Sequence, residues 1–294
     1  MTLRDYLDEQ QRLIDAELAR QVPSEDTPPE TLHRAMRYSL FAGGKRLRPI
    51  LCMEAARAVS GSPHDIERAA CALELVHTYS LIHDDLPALD NDDLRRGRPT
   101  CHKVFGEAMA ILAGDALLTL AFQVLSGIDS VDGERRARMV LELAAAAGTP
   151  GGMVAGQVAD LEGEGKAPDP DLLETIHRAK TGALLRASLR IGAIYAGADD
   201  GQFLALSRYG EHVGLAFQIV DDLLDIEASS EALGKTAGKD AAQHKLTFPA
   251  VHGIEESRRM AEGQREAAHA ALTVFGGRAG RLKELADLIV HRRA

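Results

Sequence analysis

Apolar residues recur at intervals of three and four positions along most of the chain. Leu32, Met36 and Leu40 show this spacing in one segment, and Leu73 and Val76 show it in another. A period near 3.6 places such residues on one face of an α-helix, whereas the strict alternation that predicts β-strands is absent from the sequence. The pattern therefore predicts a chain built from amphipathic α-helices.

Glycine and proline divide the helical pattern into segments of roughly 12 to 25 residues, a length that suits helices crossing a bundle. The breaks fall at residues 43–44, 60–63, 87, 97–99, 148–152, 197–201 and 276–277. None of them has the length or composition of a linker between domains. We therefore expect an all-α fold, a helical bundle in which residues 1–294 form a single domain.

The composition of the 294-residue chain excludes several classes of protein. With 45% hydrophobic and 27% charged residues, it can form a large core. The formal charge of −10 disfavours a nucleic-acid partner, because phosphate backbones favour basic surfaces. The three cysteines lack metal-ligand spacing, which indicates reduced thiols in a cytoplasmic protein.

Targeting and membrane segments are not expected either. The first residues, MTLRDYLDEQQRL, are charged and lack the apolar region of a signal peptide. No stretch reaches the roughly 18 uninterrupted apolar residues of a membrane span. The apolar stretch over residues 183–198 is interrupted by Arg186 and Arg190. The sequence therefore predicts no membrane span.

An acidic cluster followed by arginines, HDDLPALDNDDLRRGR, occupies residues 83–98. Two carboxylates about 4 Å apart repel each other by roughly 4 kcal/mol at an effective dielectric constant near 20. Asp84 and Asp85 end an apolar helical segment, and Pro87 disturbs its last turn. We therefore expect Asp90 to come from a turn that folds back toward them.

A second acidic cluster, FQIVDDLLD, lies at residues 217–225 within a strongly apolar helical pattern. Residues four apart on a helix are separated by about 40° around its axis, so Asp221 and Asp225 share a face and Asp222 lies beside them. A single cluster of this kind is usually a solvated helix end. Two clusters that both end apolar helices favour carboxylates facing each other across a cavity, with cations between them.

Oxygen-only ligands favour Mg²⁺, which typically takes one or two carboxylates together with substrate phosphates. Two other metal-site interpretations fit less well. An EF-hand over residues 90–93 fails because the glycine and the distal glutamate are misplaced. A histidine–aspartate hydrolase built on His83 and Asp84 requires further metal-binding histidines, and the sequence contains no compelling set.

Basic residues lie beside the glycine-rich breaks and the acidic segments, a distribution that favours a small anionic ligand. A diphosphate bridged by Mg²⁺ retains oxygens that need hydrogen-bond donors, and arginine offers a rigid fork of them. The candidate side chains are Lys45, Arg46, Arg48, His77, Arg95, Arg96, Lys180, Thr181, Lys235, Lys239 and Lys245.

Taken together, these motifs resemble those of the trans-isoprenyl diphosphate synthases (polyprenyl synthetases), most closely the short-chain bacterial farnesyl diphosphate synthases. The resemblance rests on GGKRLRP, DDLPALD with DLRRG after it, Lys180-Thr181, Phe217-Gln218, DDLLD, and GKTAGKD followed by HKLTFP. It covers nearly the whole chain, most clearly residues 34–251. It implies an isoprenoid-synthase-type helical bundle around a deep central cavity, a Mg²⁺-dependent prenyl transfer and a homodimer.

The resemblance also implies a role for each matching residue. Asp84 and Asp90 would bind two of three Mg²⁺ ions and Asp221 the third, with support from Asp85, Asp222 and Asp225. The allylic diphosphate would be held by Arg95, Lys180 and Lys235, with Lys245 nearby. The diphosphate of isopentenyl diphosphate would be held by Lys45, Arg48, His77 and Arg96. Thr181 and Gln218 would lie near the reacting carbons. The C-terminal HRRA departs from the basic terminus of close relatives, so Arg292 and Arg293 are assigned no role.

The implied reaction ionises an allylic diphosphate such as dimethylallyl or geranyl diphosphate, condenses it with isopentenyl diphosphate and eliminates a proton. Tyr79 lies five positions before Asp84, and Ser80 follows it. In the family a bulky residue at this place acts as a floor for the growing chain, which favours farnesyl diphosphate as the product. Geranylgeranyl enzymes tend to carry a smaller residue there.

Three alternatives remain open at this point. Besides a farnesyl diphosphate synthase, the motifs allow a geranylgeranyl diphosphate synthase, a class I terpene cyclase, or a non-catalytic subunit of a heteromeric prenyl synthase. DDLLD disfavours the cyclase, whose second metal motif normally mixes Asn or Asp with Ser or Thr and Glu. A non-catalytic subunit typically loses an acidic motif or the lysines, and both are intact here.

Overall fold

The computed structural model describes residues 1–61, 63–167, 169–227 and 246–292 of the chain. These residues form fourteen α-helices, one turn of π-helix, one 3₁₀ segment and a two-stranded antiparallel ladder. In chain order the elements are α1 (Leu3–Gln21), α2 (Glu30–Leu40), α3 (Leu47–Ser60), α4 (Ile66–Asp84), β1 (Leu94–Arg95), β2 (Arg98–Pro99), α5 (Cys101–Phe105), α6 (Glu107–Ser126), α7 (Gly133–Ala147), α8 (Met153–Gly163), α9 (Pro170–His177), the π-turn (Arg178–Gly182), α10 (Ala183–Ala196), α11 (Asp200–Glu227), α12 (Phe248–His252), α13 (Ile254–Ala271), the 3₁₀ segment (Thr273–Ala279) and α14 (Gly280–His291).

The all-α fold expected from the sequence is confirmed, since 77% of the structure is helical and 1% is strand. Residues that cap helix N-termini also occur where the apolar periodicity begins. At the start of α1, the Thr2 hydroxyl accepts from the backbone N–H of Asp5 at 3.2 Å, and the Asp5 carboxylate accepts from the N–H of Thr2. This reciprocal capping box satisfies donors that have no partner within the helix.

Three helices, α3, α4 and α10, form the centre of the core and are buried on nearly every face. Helices that are apolar all round belong inside a large bundle, where neighbours cover each side. Gly192 of α10 lies directly against α3, because a Cβ at this position would overlap the carbonyl of Cys52. The missing side chain therefore lets two central helices approach each other closely.

Helix α6 is the one described helix that is long and apolar enough to cross a membrane, with a mean hydropathy of 1.8. In the structure it packs along α4, and Ala110, Ala113 and Leu117 of its inner face are buried. A core helix passes the same length and composition test, so the finding is weak evidence for a membrane span. On the outer face, Ile111 and Leu112 are exposed.

The strand ladder beside the end of α4 was not expected from the helical pattern. Leu94 pairs with Pro99 and Arg95 with Arg98. The two residues between the strands, Arg96 and Gly97, have φ of 54° and 72°. Positive φ at both positions is the geometry of a type I′ turn, whose twist matches that of antiparallel strands. The hairpin thus holds two arginines in fixed positions beside the acidic end of α4.

Candidate active site

A cavity of about 600 Å³ lies between the C-terminal end of α4, α8, the π-turn and α11. Its charged lining comprises Arg48, Asp84, Arg95, Arg96, Lys180 and Asp221, and its apolar lining includes Leu81, Met153, Val158, Leu161 and Phe217. Two aspartates from the two acidic motifs therefore share one cavity with fixed cations and an apolar wall.

The chain folds back directly after α4, as the position of Pro87 led us to expect. The N–H of Asp90 donates to the carbonyl of Asp84 at 2.8 Å, and the N–H of Asp92 donates to the carbonyl of Asp85 at 3.2 Å. These two bonds close the acidic segment onto the last turn of the helix. The carboxylates of the first motif are therefore gathered at one end of α4.

Asp84 is costly to ionise in this setting. Its pKa is raised from 3.8 to about 6, chiefly because the carboxyl group is buried; the charges of Lys180 and Arg95 lower the pKa, and those of Asp90 and Asp85 raise it. Desolvation and like charges both disfavour the carboxylate form. A cation bound beside Asp84 would remove this penalty.

Asp85 faces the protein instead of the cavity, and it fixes Arg95. The buried Asp85 carboxylate accepts from Nε of Arg95 at 2.8 and 3.0 Å and from Nη2 at 2.6 Å. Such a bidentate pair is geometrically specific as well as strong. Asp85 therefore holds the Arg95 guanidinium in place on the cavity wall.

Lys180 and Thr181 lie in the π-turn, a deviation from α-helix that often marks functional sites. The Lys180 ammonium donates to the carboxylate of Asp160 on α8 at 2.6 Å. Helix α8 reaches the π-turn because Gly156 has no side chain; a Cβ there would overlap the backbone of Lys180. Asp160 was not among the residues selected from the sequence. Gly156, one turn earlier on the same helix, is the sequence feature that could have indicated it.

The two adjacent aspartates of the second acidic motif, Asp221 and Asp222, lie in different surroundings. Asp221 lines the cavity. The buried Asp222 accepts from the amide of Gln218 at 2.8 Å and from the backbone N–H of Phe248 at 2.9 Å. The Thr181 hydroxyl in turn donates to the carbonyl oxygen of the Gln218 side chain at 2.9 Å. Asp222 thus orients Gln218, which orients Thr181.

Arg48, His77 and Arg96 form a basic group on the cavity wall. Nε of Arg48 is buried and has no hydrogen-bond partner among the described residues. Burial and then the positive charges of Arg48 and Arg96 lower the pKa of His77 well below 6.5, so the imidazole is neutral. Two guanidinium groups around a neutral imidazole suit an anionic ligand.

Two glycines bring the GGKRLRP segment against the hairpin. The Arg96 guanidinium donates to the carbonyl of Gly43, and a Cβ on Gly44 would overlap that guanidinium. Gly44 also has φ of +127°, a conformation that other residues rarely adopt. Arg46 instead turns into the core, where it donates to Glu74 at 2.8 Å.

Not every residue selected from the sequence lies on this cavity. Lys45 is exposed and lines a neighbouring apolar groove of about 470 Å³. Asp225 is buried one turn beyond Asp221. Lys235 and Lys245 lie outside the described residues.

Arg292 contacts the second acidic motif, although the sequence assigned it no role. Its guanidinium forms an ion pair with Asp221, donates to the carbonyl of Phe217 at 3.0 Å and stacks over the Phe217 ring at 4.2 Å from the ring centre. A cation from the end of α14 therefore balances the charge of Asp221.

The donor set fits Mg²⁺ held jointly with a phosphate ligand. Within the described ranges, no three His, Cys, Asp or Glu side chains form a cluster that could chelate a metal without further ligands. Mg²⁺ commonly takes only one or two carboxylates and completes its shell with substrate phosphates and water. Asp84 and Asp221, on the wall of a cavity that also has a basic group, provide that arrangement.

The comparisons with known proteins agree on one family. The sequence profile named polyprenyl synthetase matches residues 29–279. A farnesyl diphosphate synthase from Geobacillus stearothermophilus is 51% identical over 253 residues, which cover 85% of this chain and 84% of the relative. The large subunit 1 of a heterodimeric chloroplastic geranylgeranyl pyrophosphate synthase from Arabidopsis thaliana is 49% identical over 295 residues, which cover 98% of this chain and 79% of the relative. The crystal structure of a geranyltransferase from Helicobacter pylori, complexed with magnesium and isoprenyl diphosphate, is 30% identical and superposes with a TM-score of 0.85 over 98% of this chain and 96% of that one.

Replacing Asp84 should stabilise the protein when no metal or ligand is bound. The folded state holds a proton on Asp84 up to about pH 6, so stability falls as the pH rises from about 4 to about 6. We expect Asp84→Asn to raise the free energy of unfolding at pH 7.5 by on the order of 2 kcal/mol, and to have little effect at pH 4. Urea unfolding in EDTA at both pH values measures the difference.

The matched control is Asp129→Asn, because the Asp129 side chain is 92% exposed. We expect this variant to unfold like the unmodified protein at both pH values. Equal stability of Asp84→Asn and the unmodified protein at pH 7.5 would show that the Asp84 carboxylate carries no electrostatic penalty in the cavity.

Proposed function

The chain belongs to the polyprenyl synthetase family, and we propose that it is a short-chain trans-prenyltransferase that makes farnesyl diphosphate. It condenses isopentenyl diphosphate with an allylic diphosphate, either dimethylallyl or geranyl diphosphate. The observation that carries this proposal is the single cavity that joins Asp84 and Asp221 to four cationic side chains and an apolar wall. Diphosphates and a prenyl chain require that combination.

Asp84, Asp90 and Asp221 are the proposed Mg²⁺ ligands, with Asp85 and Asp225 in support and three ions in each site. When bound, Mg²⁺ would neutralise charge on the leaving diphosphate as a Lewis acid. The all-oxygen donor set and the raised pKa of Asp84 support this assignment.

Arg95 and Lys180 hold the allylic diphosphate while its C–O bond breaks and the electron pair leaves with the diphosphate. Asp85 fixes Arg95, and Asp160 lies at hydrogen-bond distance from Lys180. Charges that are in position before the reaction need no reorganisation as charge develops, and such preorganisation is usually the largest catalytic contribution. Lys235 and Lys245 are assigned to the same diphosphate by family resemblance alone.

Arg48, His77 and Arg96 bind the diphosphate of isopentenyl diphosphate, with Lys45 contributing from the neighbouring groove. The buried Nε of Arg48 supplies a donor that the described residues do not use. Because His77 is neutral, it adds a hydrogen-bond donor without adding a further positive charge.

Thr181 and Gln218 face the allylic cation. The Thr181 hydroxyl donates its hydrogen to Gln218, so only its oxygen lone pairs remain to stabilise positive charge. The double bond of isopentenyl diphosphate attacks the cation and forms the new C–C bond. A proton then leaves to an oxygen of the released diphosphate. The apolar wall excludes water, which would otherwise capture the cation.

Tyr79 and Ser80 line the cavity one turn before Asp84 and set the product length. The Ser80 hydroxyl donates to the carbonyl of His77 at 2.9 Å, so its hydrogen bond stays within its own helix. The Tyr79 ring is the bulky group at this depth of the cavity, which supports farnesyl over geranylgeranyl diphosphate as the product. Geranylgeranyl synthesis is the second candidate, since relatives with that name match nearly the whole chain.

We propose a homodimer in the cytoplasm, with residues 1–294 as one domain. The outer face of α6 supports the dimer, because only 39% of the residues in its apolar 18-residue window are buried and Ile111 and Leu112 are exposed. Contiguous exposed apolar surface often marks an interface. A second copy of this chain is the proposed occupant of that face.

The enzymatic proposal is tested by incubating the purified protein with labelled isopentenyl diphosphate, each primer in turn, and Mg²⁺. We expect farnesyl diphosphate as the main product, with no turnover in EDTA. Asp221→Asn should lower kcat by at least about 100-fold, while Asp129→Asn serves as the matched control. Absence of elongation by the purified protein alone would indicate a non-catalytic subunit, and a geranylgeranyl product would favour the second candidate.

The dimer is tested by replacing a residue on the outer face of α6. Leu112→Glu should shift the sedimentation-equilibrium mass from twice the chain mass to the chain mass, because an interface cannot bury an unpaired charge cheaply. Leu141→Glu is the matched control, since Leu141 of α7 is 67% exposed. A monomeric unmodified protein, or a Leu112→Glu dimer, would contradict the proposal.

A further inference from the structure

His83 directly precedes the proposed metal ligand Asp84, yet its imidazole lies against a neighbouring helix. Its Nε2–H donates to the carbonyl of Ile111 on α6 at 3.0 Å. The same nitrogen lies 4.0 Å from the carboxylate of Asp115. The ring is also part of the cavity lining. His83 therefore links the cavity wall to α6.

The imidazole occupies a notch in α6 that exists because residue 114 is glycine. A Cβ on Gly114 would overlap the imidazole of His83. A glycine inside a helix costs about 1 kcal/mol relative to alanine, and Gly114 has none of the left-handed φ values that would otherwise explain it. The space needed by His83 is the physical reason for glycine at this position.

The same imidazole supports the ring that we assign as the floor of the cavity. Tyr79 and His83 are four residues apart on α4, and their rings meet edge to face, with centres 5.6 Å apart and an interplanar angle of 82°. Side chains on a helix tilt toward its N-terminus, so the His83 ring leans toward the turn of Tyr79. Edge-to-face pairs of this kind are favourable.

We propose that His83, seated in the notch at Gly114, is a specificity-determining residue that braces Tyr79 and thereby limits product length. This inference rests on the proposed function, because a floor matters only when a prenyl chain grows toward it. Without the imidazole, the Tyr79 ring can rotate into the vacated notch and deepen the cavity. A methyl group at Gly114 has the opposite effect, because it displaces the His83 ring toward the cavity.

The experiment measures the chain lengths of the products that each variant and the unmodified protein form from geranyl diphosphate and isopentenyl diphosphate in the presence of Mg²⁺. We expect His83→Ala to raise the ratio of geranylgeranyl to farnesyl diphosphate by at least about tenfold. His83→Phe should keep farnesyl diphosphate as the main product, since a ring still fills the notch without the hydrogen bond to Ile111. From dimethylallyl diphosphate, Gly114→Ala should increase the share of geranyl diphosphate.

The matched control is His212→Ala, which also removes an imidazole with one hydrogen bond, at 2.7 Å to Gln264, but outside the cavity. Its product ratio should equal that of the unmodified protein. If folded, active His83→Ala still stops at farnesyl diphosphate, the proposal is overturned while the proposed function stands. If Gly114→Ala does not fold, the product ratios of His83→Ala and His83→Phe still test the proposal. An unmodified protein that elongates neither primer overturns the proposed function, and this inference with it.

Discussion

Negative charge enclosed on the walls of a low-dielectric cavity must be matched by positive charge, and much of this structure follows from that requirement. Burial and neighbouring carboxylates bring the pKa of Asp84 to about 6. Several other charges around the cavity form ion pairs: Arg95 with Asp85, Lys180 with Asp160, and Arg292 with Asp221. The cavity therefore holds carboxylates whose charge a divalent cation can neutralise, together with cationic side chains that a diphosphate can bind.

The doubled aspartates have a geometric explanation. Consecutive residues on a helix point about 100° apart, so one member of each pair can face the cavity while the next faces the protein. Asp84 and Asp221 line the cavity. Asp85 and Asp222 instead fix Arg95 and Gln218 through hydrogen bonds. In the proposed function, each motif thus supplies one ligand for cations and one anchor for a substrate-binding group, so that the donors are rigid before the reaction begins.

The sequence was sufficient for the features that depend on local pattern and chain geometry. The apolar period predicted the helices, and Pro87 predicted the returning turn that carries Asp90. Family resemblance supplied the proposed roles of the cationic motifs, which composition alone could not distinguish from solvated surface charges. Contacts between distant elements could not be read from the sequence, because they depend on how closely two helices approach. Asp160 meets Lys180 only because Gly156 lets α8 reach the π-turn, and His83 meets α6 only because Gly114 leaves a notch. Arg292 was missed because its contact with Asp221 depends on where α14 ends.

In the proposed function, metal and diphosphate occupy the cavity together, each completing the site for the other. Isothermal titration of inorganic pyrophosphate into the protein, once with saturating Mg²⁺ and once with EDTA, tests it most directly, after subtraction of the heat of Mg²⁺–pyrophosphate association. We expect binding at least about 100-fold tighter with Mg²⁺, because the cation neutralises the repulsion between the pyrophosphate and the cavity carboxylates, and the coupling between the two ligands is reciprocal. Equal affinity in Mg²⁺ and in EDTA, or no binding in either, would contradict it.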